Sequence, residues 1–220
     1  MVNLVAFALT CFSCILVFCD LGYAFPNGKH KQTPLGVPYQ GSPVTLSRRI
    51  YHSSSIPFKK NDGWLGMNLD YKYVEPIANK LNSTEQPLFN RGESHITVVT
   101  PPEFNLLANA GVTLDEINNI ARQHKIQASR FRVVCLGRED VKVDNEQYIV
   151  YQLIVDSRDL LNIRRAIFRL YASKGGNTAL FNPDNYNPHI TVAFSVNDLF
   201  EANGVSKGYN VCYSPIHFVH

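Results

Sequence analysis

Two histidines and two threonines stand at the same spacing in this sequence and could hold one phosphate group between them. The tetrapeptide His-Ile-Thr-Val occurs at residues 95–98 and again at residues 189–192. Because side chains alternate between the faces of an extended strand, His95 and Thr97 would share one face, as would His189 and Thr191. An imidazole, with an ordinary pKa of about 6.5, can take or give a proton near neutral pH. A hydroxyl can bind a phosphate oxygen, so the pattern indicates acid–base chemistry on a phosphodiester.

The sequence around the two copies is stronger evidence for a site than the repeat itself. In a chain with seven histidines, such a repeat could arise by chance. Each copy begins an apolar, β-branched run, and this predicts strands over residues 95–100 and 189–194. The first run follows a turn at residues 90–94. The second follows Asn-Pro-Asp-Asn-Tyr-Asn-Pro at residues 182–188, whose Pro188 favours extended backbone in the residue before it. Each histidine is therefore predicted at the start of a strand, beside a loop.

The rest of the chain predicts an alternation of strands and helices that places one His-strand in each of two similar halves. The capping-box pattern and apolar periodicities predict helices over residues 74–81, 114–125 and 159–173. Strands are predicted over residues 65–71, 130–136 and 148–155, and the last two of these could form a hairpin. A polar helix-like stretch follows the second His-strand, and a final strand is predicted around residues 211–219. This order indicates an α+β protein with two related halves.

With these motifs and this order, residues 63–220 resemble the 2H phosphoesterase superfamily, which includes RNA 2′,3′-cyclic phosphodiesterases and enzymes that cleave 2′,5′-linked oligoadenylates. The resemblance implies a bilobal fold in which two antiparallel sheets face a central cleft, with helices outside. It also implies that His95, Thr97, His189 and Thr191 line that cleft as catalytic residues. No metal and no cofactor is expected.

The expected function is hydrolysis of 2′,3′-cyclic or 2′,5′-linked nucleotide or RNA phosphodiesters. One histidine would deprotonate water and the other would protonate the departing sugar oxygen, but the sequence leaves open which is which. The threonines would bind the non-bridging phosphate oxygens. Tyr186 is a candidate to stack on a substrate base. The alternatives are a secreted nucleotide- or partner-binding protein without turnover, or histidines that merely begin strands while the threonines pair across a sheet.

The charge distribution argues against binding to long duplex nucleic acid. Residues 25–60 contain six Lys and Arg and no acid, whereas residues 61–220 contain fifteen Lys and Arg against seventeen Asp and Glu, a net charge of −2. A nearly neutral domain does not predict a broad basic groove. The expected partner is thus a nucleotide or an RNA terminus, and the expected oligomeric state is a monomer.

The first sixty residues are predicted to lie outside the catalytic domain. Residues 1–24 contain an apolar stretch followed by Gly-Tyr-Ala, which is typical of a secretory signal peptide; a signal anchor is the alternative. Residues 25–60 are rich in Pro, Gly, Ser and cations and are predicted to be a flexible basic lead segment or propeptide. Residues 61–220 would form the domain of a secreted protein without stable membrane association after signal cleavage.

Two further features bear on secretion. Removal of residues 1–24 takes away three of the five cysteines and leaves Cys135 and Cys212, which either pair or remain as two buried thiols. Asn82-Ser83-Thr84 is a sequon, so Asn82 is a candidate glycosylation site.

Overall fold

The computed structural model describes residues 32–50, 64–143, 145–199 and 205–220. These residues form eight strands and four α-helices, joined by loops and three short 3-10 turns. The strands are β1 (Val44–Ser47), β2 (Leu65–Leu69), β3 (Ser94–Val99), β4 (Arg132–Val143), β5 (Glu146–Asp156), β6 (His189–Phe194), β7 (Cys212–Ser214) and β8 (Ile216–Val219). The helices are α1 (Glu75–Leu81), α2 (Pro101–Asn109), α3 (Leu114–Gln123) and α4 (Arg158–Ser173).

The strands form three sheets. Strands β6, β5, β4 and β7 make a four-stranded antiparallel sheet in that order, and β2 pairs antiparallel with β3. Strands β1 and β8 make a third, parallel pair. The β3 strand of one sheet lies against the β6 strand of another. This mixture of helices and sheets confirms the α+β class, whereas the bilobal arrangement around a cleft stays a prediction.

Both His-strands are anchored by the apolar residues of the repeated tetrapeptide. Ile96 and Val98 on β3 are fully buried, and so are Ile190 and Val192 on β6. These four side chains belong to one hydrophobic cluster of the core. Because neighbouring side chains on a strand point to opposite faces, the intervening histidines and threonines are turned away from that cluster and remain partly accessible.

Helix α4 follows the predicted pattern closely. Its N-cap Ser157 accepts a hydrogen bond from Leu160 N, and its apolar stripe, including Ile163 and Ile167, is buried. The helix ends at Ser173, with Lys174 as its C-cap. Gly175 follows with a φ of 80°, a left-handed conformation that glycine adopts without strain.

Strand β1 corrects the prediction of a flexible segment over residues 25–60. Val44 and Leu46 are buried in the core, and the strand pairs in parallel with β8, so this part of the segment belongs to the folded domain. The alternation in this four-residue strand, with only two buried side chains, is too short to predict a strand within a segment of polar composition. Residues 1–31 and 51–63, with the predicted signal peptide and most of the lead segment, lie outside the described residues.

Helix α2 and the C-terminal strands also differ from the prediction. The strand predicted over residues 95–100 is followed directly by Pro101-Pro102, and this pair starts α2, because Thr100 and Glu103 form a capping box and proline fits the first helical turn. The predicted strand at 211–219 is divided into β7 and β8, which pair with different sheets. Of the predicted helix-like stretch before it, residues 200–204 lie outside the described residues, and the described part holds only a 3-10 turn at Tyr209–Val211.

Cys135 on β4 and Cys212 on β7 form a disulfide, with their Cα atoms 5.6 Å apart. The bond closes a sequence separation of 77 residues and holds the short edge strand β7 against β4. Within the described part of the chain, no helix is both long and apolar enough to cross a bilayer.

Candidate functional site

The first histidine stands on β3 beside an aromatic ring. His95 lies opposite Asn68 of β2, and Thr97 lies opposite Gly66. The indole ring of Trp64 packs against the imidazole of His95, with ring centroids 4.7 Å apart. A Cβ atom at Gly66 would come within 2.6 Å of the indole, so glycine is what allows this ring to lie across β2 next to His95.

The second histidine stands on β6, which is an edge strand of the four-stranded sheet. His189 lies opposite Ile154 of β5, and Thr191 lies opposite Gln152. On the other side of β6, Phe89 and Phe194 exchange two backbone hydrogen bonds of 2.7 and 2.9 Å. The loop that leads to the first copy of the motif is thus attached to the strand that carries the second.

The structure brings the two copies together. Strands β3 and β6 are in contact, and the charge of His95 contributes to lowering the pKa of His189. The hydroxyl of Tyr186, just before the second copy, donates to the backbone oxygen of Thr97 at 3.0 Å. The predicted catalytic residues therefore lie in one region, although the catalytic role of each stays a prediction.

The ring of His189 is held in one tautomer by its two neighbours. Its Nδ1 lies 2.8 Å from the backbone oxygen of Asn187, and its Nε2 lies 3.1 Å from Nζ of Lys207. A carbonyl only accepts and an ammonium only donates, so the proton is on Nδ1 and the lone pair is on Nε2. Burial, the charge of Lys207 and the charge of His95 lower the pKa to about 3, against the opposing bond to Asn187. His189 is consequently neutral near pH 7.

The ring of His95 has a different electrostatic environment. Its Nδ1 lies 3.9 Å from Oε1 of Glu93. Burial is the main cause that lowers the pKa of His95, while the carboxylates of Glu93 and Asp198 raise it and the cations Arg91 and Lys207 lower it. Two neighbouring carboxylates therefore favour the protonated form of this ring, and none of the described carboxylates does so for His189.

The two threonines also differ. The hydroxyl of Thr191 donates to Oδ2 of Asp198 at 3.3 Å, and the guanidinium of Arg91 lies 3.3 Å from the same oxygen. The side chain of Asp198 is only 8% exposed. The hydroxyl of Thr97 makes no hydrogen bond within the described residues, so it is available to a ligand without breaking an internal bond.

Arg164 connects the segments that carry the two copies. Its side chain, 2% exposed, donates to Val98 O at 2.6 Å, to Pro183 O at 3.2 Å and to Oε1 of Glu103 at 2.7 Å. It thereby ties the loop before β6 to β3 and to α2. The sequence contained a signal for this role, because residue 164 lies four positions after Leu160 on the apolar stripe of α4.

Tyr186 has structural contacts that do not involve a substrate. Besides its hydrogen bond to Thr97 O, its ring faces the guanidinium of Arg164, with the guanidinium carbon 4.8 Å from the ring centroid. These contacts fix the loop before β6. The substrate-stacking role of Tyr186 stays a prediction.

Three charged residues beside the histidines were not found from the sequence: Arg91, Asp198 and Lys207. Each comes from a loop outside the two strands, and no spacing or periodicity connects them with the motif. Only the folding of these loops onto β3 and β6 brings them to the site.

Two cavities lie next to the histidines rather than around them. One, of about 230 Å³, is lined by Asn187, Pro188, Lys207, Gly208 and Tyr209, among others. It shares Tyr186 and Pro188 with a second cavity of about 660 Å³, whose walls include Arg130, Arg132 and Arg158 but also three aspartates. Among the described residues, no group of three or more His, Cys, Asp or Glu side chains has the arrangement of a metal site.

A family model described as Swiss Army Knife, 2H phosphoesterase domain matches residues 63–200, well over half of the chain. The chain belongs to the 2H phosphoesterase family. The match includes both His-strands, whereas Lys207 and strands β1, β7 and β8 lie outside it. No curated protein and no solved structure matches the chain. Family membership thus supports phosphoesterase chemistry in general and leaves the substrate to be proposed.

Proposed function

We propose that this 2H phosphoesterase domain hydrolyses 2′,3′-cyclic or 2′,5′-linked phosphodiesters at the ends of nucleotides or RNA. The observation that carries the proposal is the contact between β3 and β6, which brings His95, Thr97, His189 and Thr191 into one region of the domain. Each strand buries its apolar residues and turns its histidine and threonine away from them.

The environments of the two rings support an assignment of roles. His189 is neutral with its lone pair on Nε2, so it is suited to take a proton from water as the water oxygen attacks phosphorus. His95 has carboxylates nearby that favour its protonated form, so it would give a proton to the sugar oxygen as the phosphorus–oxygen bond breaks. The threonine hydroxyls would donate to the non-bridging oxygens, which gain charge in the transition state.

A substrate panel tests the proposal directly. The purified protein is incubated with 2′,3′-cyclic nucleotides and 2′,5′-oligoadenylate in excess EDTA, beside His95→Ala, His189→Ala and the control His124→Ala at the exposed end of α3. General acid and base catalysis contribute about 10²- to 10⁴-fold each, so we expect losses of that size in the first two variants and none in the third. Turnover that survives both substitutions, or that EDTA alone abolishes, would contradict the mechanism.

The same panel separates catalysis from the alternative of a secreted binding protein. One observation favours that alternative, because the hydroxyl of Thr191 already donates its proton to Asp198. Binding of a nucleotide without cleavage of any member of the panel would support the binding role.

We also propose that the protein enters the secretory pathway, loses residues 1–24 and is glycosylated at Asn82. The Cys135–Cys212 disulfide supports an oxidising compartment, and Asn82 is exposed at the end of α1. N-terminal sequencing of protein recovered from the culture medium, before and after enzymatic removal of N-glycans, tests both points. A mature chain that still begins at Met1 would contradict signal cleavage.

A further inference from the structure

Lys207 is the cation in direct contact with a proposed catalytic ring. It lies between β6 and β7, outside the region that matches the family model, and is only 5% exposed. Its Nζ donates to Nε2 of His189 at 3.1 Å. Its charge also lowers the pKa of His95. Lys207 thus contacts one of the two rings directly and acts electrostatically on both.

The bond between Lys207 and His189 conflicts with the proposed role of His189 as a base. The ammonium occupies the lone pair of Nε2, and Nδ1 already carries the proton that faces Asn187. A water molecule therefore has no free nitrogen on this ring to which it could give a proton. Lys207 must release Nε2 before His189 can act.

An anionic phosphate oxygen is a stronger partner for an ammonium than a neutral ring nitrogen. The bond to Nε2 of His189 has only one charged partner, whereas a bond to a phosphate oxygen joins two opposite charges and adds the Coulombic attraction between them. Lys207 is also one of the residues that line the cavity of about 230 Å³, with Pro188, Gly208 and Tyr209, so this residue borders space outside the packed core. An incoming phosphate thus offers Lys207 a better partner.

We propose that Lys207 is a phosphate-binding residue of this site, which exchanges its bond to Nε2 of His189 for a bond to a non-bridging phosphate oxygen when substrate binds. The inference rests on the proposed function. The exchange frees the base at the moment when substrate is present and places a positive charge beside the phosphate as negative charge develops on it.

The wild-type protein provides the first test, without any substitution. Inorganic phosphate is titrated into protein with ¹⁵N-labelled histidine, and the ring nitrogens of His95 and His189 are followed by NMR. Since Nε2 of His189 loses its bond to Lys207, we expect its signal to shift in a saturable way. A His189 ring whose signals stay unchanged throughout the titration would overturn the proposal.

Substitutions then test the charge. Lys207→Met should weaken phosphate binding about tenfold to a hundredfold, the usual range for one charge-assisted hydrogen bond, whereas Lys207→Arg should stay within about fivefold of wild type. Lys142→Met, at an exposed position on β4, controls for the loss of one positive charge. Equal phosphate affinity in Lys207→Met and Lys142→Met would overturn the proposal. If Lys207→Met does not fold, the wild-type titration decides.

The effect on His189 separates phosphate binding from a merely structural role. Because the charge of Lys207 lowers the pKa of His189, Lys207→Met should raise that pKa while Lys207→Arg should not.

Failure of this inference is also distinguishable from failure of the proposed function. If the wild-type protein binds phosphate through Lys207 but cleaves no substrate, only the proposed function is contradicted. If the Lys207→Met variant cleaves substrate as well as wild type does, only the inference about Lys207 is contradicted.

Discussion

His95 and His189 begin identical tetrapeptides, but among the described residues carboxylates raise the pKa of only the first ring. Glu93 and Asp198 raise the pKa of His95 against the effect of burial. Burial, followed by the charge of Lys207, lowers the pKa of His189 to about 3. The same contrast extends to the hydroxyls, since Thr191 is bonded to Asp198 and Thr97 is bonded to none of the described side chains. Carboxylates thus oppose the lowering of the pKa at His95 alone, so of the two rings it is the more readily protonated.

The source of this contrast is the loops and not the strands. Both copies bury their isoleucine and valine in one core cluster, so the strands themselves are equivalent. The charged residues come from the segment before β3 and from the segment after β6. A repeated motif therefore fixes which atoms are presented, while the flanking loops decide their protonation.

Substitution of the two histidines should give the largest difference between the two copies, measured as the rate of hydrolysis. When the substrate is a nucleoside 4-nitrophenyl phosphodiester, the leaving group departs without needing a proton. His95→Ala removes only the proposed acid, so this variant should hydrolyse the substrate within about tenfold of the wild-type rate. His189→Ala should still lose about 10²-fold or more, because water needs a base with either substrate. The release of 4-nitrophenolate measures both rates. Equal losses in the two variants would contradict the assignment of acid and base.

A smaller effect should distinguish the two threonines by stability. Thr191→Val removes a donor from the buried carboxylate of Asp198 and should lower the free energy of unfolding by about 1–3 kcal/mol. Thr97→Val breaks no internal bond and should change it by less than about 0.5 kcal/mol. Urea unfolding followed by the fluorescence of Trp64, the single tryptophan, measures both. A larger loss for Thr97→Val would show that the two hydroxyls are not held as described.

The smallest effect concerns pH. In the proposed mechanism the active form has a neutral His189 and a protonated His95. The value of kcat/KM should therefore be highest between about pH 3 and the pKa of His95, which is lowered from its ordinary 6.5. Glu93 raises the pKa of His95, so Glu93→Gln should move the high-pH limb to lower pH and reduce the rate at pH 7 by less than about fivefold. Glu85→Gln, at an exposed loop position, is the control. A high-pH limb that moves to higher pH in Glu93→Gln would contradict the predicted direction of the shift.

Much of the fold was predictable because its signals are local. Helices α3 and α4 have strong caps and a clear apolar stripe, and β3 and β6 are announced by β-branched runs after turns. Strand β1 escaped prediction because its stability comes from pairing with β8, more than 160 residues away. Helix α2 lies outside the predicted elements, although Thr100 and Glu103 form a capping box, because a proline pair after a β-branched run also marks the end of a strand.

The sequence by itself determined the candidate site of this protein: two imidazoles and two hydroxyls at the accessible faces of two amphipathic strands, a pattern that alternation along a strand enforces. Only the tertiary structure decided how those atoms differ. Arg164 and Tyr186 join the segments that carry the two copies, and Arg91, Asp198 and Lys207 reach the site from the loops before β3 and after β6. Protonation depends on burial and on charges within a few ångströms, and these are properties of the folded neighbourhood that no local pattern encodes.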